Sequence, residues 1–253
     1  MILDSVEEVA NDDLRAFTEP RLITFTHCFE PMKTPPQIRQ IADPLAAQNA
    51  MQEAADLLRG GGVIVCATDT GYLLGVDALN VTAVQKAYAI KGRAFHKPMH
   101  VVVADIEMAR MIADISPQAQ RVFEQFLPGA LTLILRRKPI VPDALVSGLP
   151  GIGIRIPQND FLLELARTAN MPITATSANQ SGLGTPYTVA QVLQELGDAA
   201  AQVDLILDQG ETAHAMPSTL LDLTQSPPRI LRRGPITAEM LRAKGVKTSS
   251  SCI

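Results

Sequence analysis

The chain has 253 residues, 47% hydrophobic but only 4% aromatic, with no tryptophan and a net charge of −4. Such a composition supports a large aliphatic core and excludes global disorder. The acidic balance argues against a dedicated nucleic-acid binder, whose footprint is basic overall.

Residues 1–45 carry Pro20, Pro31, Pro35, Pro36 and Pro44 without clear periodicity, and read as an irregular extension with a short ordered piece around Leu22–Phe25. From Ala46 onward Ala47, Ala50, Met51, Ala54, Leu57 and Leu58 recur at helical spacing until Gly60-Gly61-Gly62 stops the helix. Val63–Ala67 reads as a buried strand. Asn80 caps a helix running through Tyr88, and Val101–Val103 marks a second strand. Ser116-Pro117 starts another helix, because serine caps and proline is tolerated at the first helical position. Strands follow at Leu131–Leu135 and Ile152–Ile156, then a helix at 159–169 and a strand at Ile173–Thr176. The last third holds a helix from Thr188 to Leu196, strands at Val203–Leu207, Thr219–Leu223 and Arg229–Leu231, and a short helix from Thr237. Strands alternating with helices predict an α/β sheet covered on both faces, and the late cluster of short strands predicts some antiparallel pairing. The serine-rich tail from Lys247 reads as frayed.

Several chemistries drop out. Cys28, Cys66 and Cys252 show no metal spacing, and an odd count does not suggest a disulfide framework, which fits a reducing, cytoplasmic setting. Met1-Ile2-Leu3-Asp4 lacks the basic start of a secretory signal, and no apolar run reaches membrane-spanning length. His27, His96, His100 and His214 show no ligand spacing, so no residue is assigned to a metal. The phosphate loop G-x-x-x-x-G-K-[ST], the dinucleotide motif G-x-G-x-x-G and the nucleophile elbow G-x-S-x-G are all missing.

What remains is a series of modest polar motifs. Thr68-Asp69-Thr70-Gly71 follows a buried strand, where α/β sheets place ligands, though a polar turn explains it equally. Lys91-Gly92-Arg93 and Lys97-Pro98 bring cations between a helix end and a strand; arginine clamps phosphate bidentately, but cations also simply favour helix C-termini. Pro128-Gly129-Ala130-Leu131-Thr132 reads as a turn feeding a core strand. Thr176-Ser177-Ala178-Asn179 places hydroxyls and an amide straight after a strand, and Ser218 and Arg232 flank later strands. His100 and Val102 share one face of their strand.

Taken in order from about Ala46 to Leu241, these motifs resemble the YrdC-like family of threonylcarbamoyl-AMP synthases. That family's pattern runs Pro-Thr-x-Thr-x-Tyr-Gly-Leu, Lys-x-Arg, Pro-Gly-x-x-Thr, Arg-x-Pro, Ser-x-Asn-x-Ser-Gly, Ser-Thr and Arg-x-Gly. The resemblance implies a twisted, mixed parallel/antiparallel α/β sheet with flanking helices and a large concave cavity over residues 46–246, with residues 247–253 as a flexible tail. It also implies a nucleotidyltransferase that makes threonylcarbamoyl-AMP and pyrophosphate from L-threonine, bicarbonate and ATP, with Mg²⁺, for t6A modification of tRNA. Carried over by motif, Thr70, Arg155, Ser177 and Ser218 hold the amino acid, with Arg155 on its carboxylate; the family's histidine position falls on Val102, and His100, two residues earlier on the same face, is placed with them instead. Lys91, Arg93, Lys97, Asn179 and Arg232 hold ATP, with Lys91 and Arg93 as the catalytic pair. The absence of a nucleophile fits, because adenylyl transfer is mostly positioning and charge neutralisation. The form Thr-Asp-x-Gly-Tyr-x-Leu-Gly is also similar to the YciO branch, which implies the alternative of a double-stranded-RNA-binding or ribosome-associated module without synthase activity.

Overall fold

The computed structural model describes residues 35–41, 43–213 and 216–249. Local chemistry sets most elements. Strand β1 (Gln37–Gln40) precedes helix α1 (Pro44–Arg59), where the Asp43 side chain accepts from the Ala46 amide and Pro44 occupies the first turn. The helix therefore starts two residues before the periodic apolar pattern does. Strands β2 (Ile64–Thr68) and β3 (Gly71–Gly75) form a hairpin across Asp69 and Thr70. Every residue of both is buried, so both sheet faces are covered there. Helix α2 (Val81–Lys91), capped by Asn80, ends at Gly92, whose φ of 54° is left-handed.

Next come β4 (His100–Val102), α3 (Ile106–Ile112), α4 (Pro117–Phe126, capped by Ser116), β5 (Leu131–Arg136), α5 (Asp143–Val146) and β6 (Gly151–Arg155). Helix α6 (Asp160–Ala169), β7 (Ile173–Ser177) and α7 (Val189–Leu196) lead through a 3-10 turn to β8 (Leu205–Asp208). The chain closes with β9 (Thr219–Asp222), β10 (Arg229–Arg232) and α8 (Ala238–Ala243).

Ten strands make one mixed sheet in the order β1-β8-β2-β3-β7-β4-β6-β5-β9-β10. Strand β7 joins its two halves, pairing antiparallel with β4 through Ile173–Ala175 and with β3 through Thr176 and Ser177. Helices α1 and α6 pack together over β2, while α2 packs against α5 and the 3-10 turn. The core is mostly aliphatic, with Leu58, Ile64, Leu74, Leu131 and Leu133 fully buried alongside Tyr72 and Tyr88.

Several elements depart from the sequence reading. Residues 37–40, assigned to the irregular extension, form edge strand β1, parallel to β8 from Gln37↔Leu205 to Gln40↔Asp208. All four are exposed, so no apolar alternation marks them; backbone pairing and an Arg39–Glu53 ion pair at 3.0 Å onto α1 hold them. Gly71–Gly75, readable as a turn, is a strand, and α3 and α5 carried no sequence signal strong enough to name. In the tail, the Ser249 amide donates to the Pro228 carbonyl at 2.8 Å. The expected piece at Leu22–Phe25, and residues 250–253, lie outside the described residues.

Candidate functional site

A cavity of ≈ 240 Å³ lies over the face of the central strands. Thr70 reaches it from the β2–β3 turn, His100 and Val102 from β4, Arg155 from the end of β6 and Ser177 from the end of β7. Ser218 and Arg232 close the far side, and Arg93 enters from the loop after α2. Register explains the convergence. Val102 pairs with Arg155, and Thr132 pairs with Leu220, which pairs with Arg232, so each row projects to one face. The motifs thus meet across a sheet face, not only at strand ends.

Arg155 is 8% exposed. Its Nη1 donates to Thr70 Oγ1 at 2.7 Å and its Nη2 to Asp69 Oδ1 at 2.6 Å, so the guanidinium meant for a ligand carboxylate already holds an internal one. Arg93 donates from Nε and Nη2 to the carbonyls of Lys97 and Pro98, at 3.0 and 2.9 Å. Its Nη1 has no hydrogen bond among the described residues. Arg232, at the exposed rim, grips Ser218 twice, through the backbone carbonyl at 3.0 Å and the hydroxyl at 3.1 Å. Three guanidiniums therefore face one cavity, and among the described residues the carboxylate bonded to any of them is that of Asp69.

Three expected residues are not on the cavity wall. Lys91 is 2% exposed, with its ammonium on the Ser177 carbonyl, the Asn179 carbonyl at 2.7 Å and Asn179 Oδ1 at 3.3 Å. Asn179 is also buried, donating from Nδ2 to the carbonyls of Gln180 and Leu183 at 2.9 and 2.7 Å and accepting from Ser177 Oγ. Both brace the end of β7 from behind. Lys97 is exposed, and its carbonyl, not its ammonium, serves the site by accepting from Tyr88 and Arg93. Asp69, the partner of Arg155, and Thr132, which lines the cavity at 1% exposure, lie in motifs quoted from the sequence but were given no site role there. A hydroxyl inside the apolar run Leu131–Leu135 was the signal for Thr132.

Burial lowers Lys91 to about 7, with the Arg93 charge adding to it, while its three oxygen acceptors favour the charged form. Burial first, then the charges of Arg232, Arg93 and Arg155, lower His100 to about 4, so it is a neutral imidazole near pH 7. That ring folds back over β6, where a Cβ on Gly153 would lie 2.4 Å from His100 Cδ2, so glycine is required beneath it. Cys66, buried within hairpin strand β2, is pushed up to about 12 and is no nucleophile near pH 7.

The His100 environment has a measurable consequence. An unfolded histidine takes up a proton near pH 6.5, and the folded one only near 4. The unfolded chain therefore binds more protons in that window, and stability falls as pH drops from 6.5 to 4. His100→Gln should remove a pH-dependent loss on the order of 1–3 kcal/mol. Urea unfolding of the two proteins at pH 7, 5.5 and 4 checks this; parallel profiles would remove His100 from the list of buried neutral groups.

Comparisons with known proteins give the family. The Sua5/YciO/YrdC family model, described as "Telomere recombination", matches residues 56–234. The chain belongs to that family. The Bacillus subtilis threonylcarbamoyl-AMP synthase is 37% identical over 218 residues, covering 84% of this chain and 61% of that protein. The Pyrococcus abyssi threonylcarbamoyl-AMP synthase is 34% identical over 187 residues, covering 74% of this chain and 54% of that protein. The chain thus spans less than two thirds of those two relatives, although it spans 84% of a Methanocaldococcus jannaschii relative at 36% identity. Among solved structures, P. abyssi Sua5 complexed with L-threonine matches with a TM-score of 0.77 and 29% identity over 85% of this chain and 63% of that one. Escherichia coli YciO matches with a TM-score of 0.71 and 26% identity over 81% of this chain and 98% of that one. These members of the Sua5/YciO/YrdC family share the YrdC-like α/β fold anticipated from the motifs.

Proposed function

We propose that this chain is a nucleotidyltransferase that makes threonylcarbamoyl-AMP. The observation that carries the reading is the convergence of Arg93, Arg155 and Arg232 on one cavity with, among the described residues, one carboxylate bonded to them, which suits an anionic ligand. The product in the relatives' names, threonylcarbamoyl-AMP, is one that L-threonine, bicarbonate and ATP would yield. Bicarbonate and the threonine amine condense to a carbamate with loss of water. A carbamate oxygen attacks the α-phosphorus of ATP, the bond to the β-phosphate breaks, and pyrophosphate leaves. No enzyme nucleophile is needed, and the work is positioning and neutralisation of charge.

In this reading Arg93 and Arg232 hold phosphates at the rim, while Thr70, Ser177, Ser218 and neutral His100 meet the amino acid. Arg155 orients Thr70 and offers its remaining positive charge to the carboxylate. Lys91 and Asn179 are positioning residues. Among the described residues no group of three or more His, Cys, Asp or Glu could hold a metal, and Asp69 is committed to Arg155. The donor set does not fit a resident Mg²⁺, which would instead arrive on the phosphate oxygens of ATP. The activated carbamoyl group would pass to tRNA in t6A modification. No described helix is long and apolar enough to cross a membrane. The named synthase relatives favour this reading over an RNA-binding module without catalysis.

The test is pyrophosphate release that requires ATP, L-threonine and bicarbonate together, with threonylcarbamoyl-AMP identified by mass spectrometry. Arg93→Ala should weaken ATP binding by about 1.5–3 kcal/mol, the worth of hydrogen bonds to a charged group. Unchanged ATP affinity by calorimetry would take Arg93 out of the site.

A further inference from the structure

We propose that Thr132 contacts the ligand directly: with Ser218 it forms a hydroxyl pair that donates one proton to an anionic ligand oxygen beside Arg232. The inference rests on reading the cavity as the substrate site, and it follows from counting protons.

Thr132 Oγ1 and Ser218 Oγ are 2.7 Å apart. Each hydroxyl has one proton and two lone pairs. One proton of the two is used between the oxygens, whichever donates. Arg232 Nη2 takes a lone pair of Ser218 Oγ at 3.1 Å, and its Nε holds the Ser218 carbonyl at 3.0 Å, so the serine is fixed on two sides. The second proton has no acceptor among the described residues. Both oxygens belong to residues on the cavity wall, at 1% and 4% exposure. A donor held there is unfavourable unless something in the cavity accepts from it.

Packing does not call for the hydroxyl. Thr132 sits in β5 between Leu131 and Leu133, both 0% exposed, where valine would fill the same space, and the hydroxyl's only bond among the described residues is to Ser218. The row Thr132–Leu220–Arg232 places the pair on the same sheet face as a guanidinium. A neutral donor next to Arg232, with Arg155 also on the wall, suits a negatively charged oxygen more than a carbonyl. That oxygen belongs either to the carboxylate of the amino acid or to a phosphate of the nucleotide.

The experiment compares wild type with Thr132→Val and Thr132→Ser. Calorimetric titrations with L-threonine, ATP and inorganic pyrophosphate are run alongside thermal unfolding and the full synthesis assay. Thr132→Val loses its hydrogen bond to Ser218 and should melt slightly lower than wild type, yet stay folded and bind one ligand class roughly 10- to 100-fold more weakly. Thr132→Ser should bind within about threefold of wild type, because it keeps the hydroxyl. A loss confined to threonine assigns the carboxylate, and a loss confined to ATP and pyrophosphate assigns a phosphate. Unchanged affinity of Thr132→Val for all three overturns the proposal, as do equal losses in the serine and valine variants. Should the valine chain not fold, Thr132→Ala carries the same comparison. Wild-type protein that binds its ligands but makes no adenylate sinks the synthase reading and leaves the Thr132 comparison intact; wild type that binds none of the three overturns both.

Discussion

Arg155→Met should destabilise the protein on the order of 3 kcal/mol and remove most of its amino-acid affinity. The guanidinium sits between Asp69 Oδ1 at 2.6 Å and Thr70 Oγ1 at 2.7 Å, with side-chain exposures of 9% for Arg155 and 19% for Asp69. Removing it leaves a carboxylate with little water and no counter-charge, which costs more than the pair itself contributes. The repair variant separates the two. Asp69→Asn in the Arg155→Met background should recover part of the lost stability, with a coupling of about 1–3 kcal/mol in a double-mutant cycle. Binding should not recover, because Thr70 would still lack its donor. Arg155→Lys should fail to substitute, since a single ammonium does not reproduce a fork that reaches two acceptors. Strictly additive stabilities from denaturant unfolding would show that the ion pair is incidental.

Lys91→Met should cost about 2–4 kcal/mol of stability and lower turnover by at least about a hundredfold. The loss leaves three buried or half-buried oxygens, on Ser177 and Asn179, without their shared donor. The Lys91 carbonyl also accepts from the Ser181 amide at 2.8 Å, so this residue anchors the segment after β7 from both ends. The pH dependence gives a sharper readout than the loss itself. With its pKa lowered to about 7 from 10.5, Lys91 binds fewer protons folded than unfolded between those values, so its contribution makes the protein more stable as pH rises from 7 to 10.5. The bracing of Ser177 needs the charged form, and activity should fall over the same range, with a midpoint at or above pH 7. Wild type is therefore expected to gain stability and lose turnover together on the alkaline side, and Lys91→Met to show neither trend. Turnover of the wild type that stays flat up to pH 10 would rule out a charged Lys91 as the brace.

Much of this molecule is written in short-range chemistry. Asn80, Ser116, Asn159, Thr188 and Thr237 each cap a helix by accepting from an amide three residues on, so the helix starts are legible without any knowledge of the fold. The apolar runs at Val63–Ala67 and, broken by Thr132, Leu131–Leu135 likewise announce buried strands, because burial on both faces demands near-continuous hydrophobicity. Even the polar site motifs are visible as clusters. What they do is decided at long range. Asp69 meets Arg155 across 86 positions, Ser218 meets Thr132 across 86, and Lys91 meets Asn179 across 88. No local rule pairs such residues; strand order and register do, by putting Val102 beside Arg155 and Thr132 in the row that ends at Arg232. The same limit explains β1, whose four exposed residues acquire strand structure only because β8 offers an unpaired edge. It explains Lys91 as well: in sequence it is one more cation at a helix terminus, and only the packing of α2 against the end of β7 turns its ammonium away from the cavity and onto backbone carbonyls.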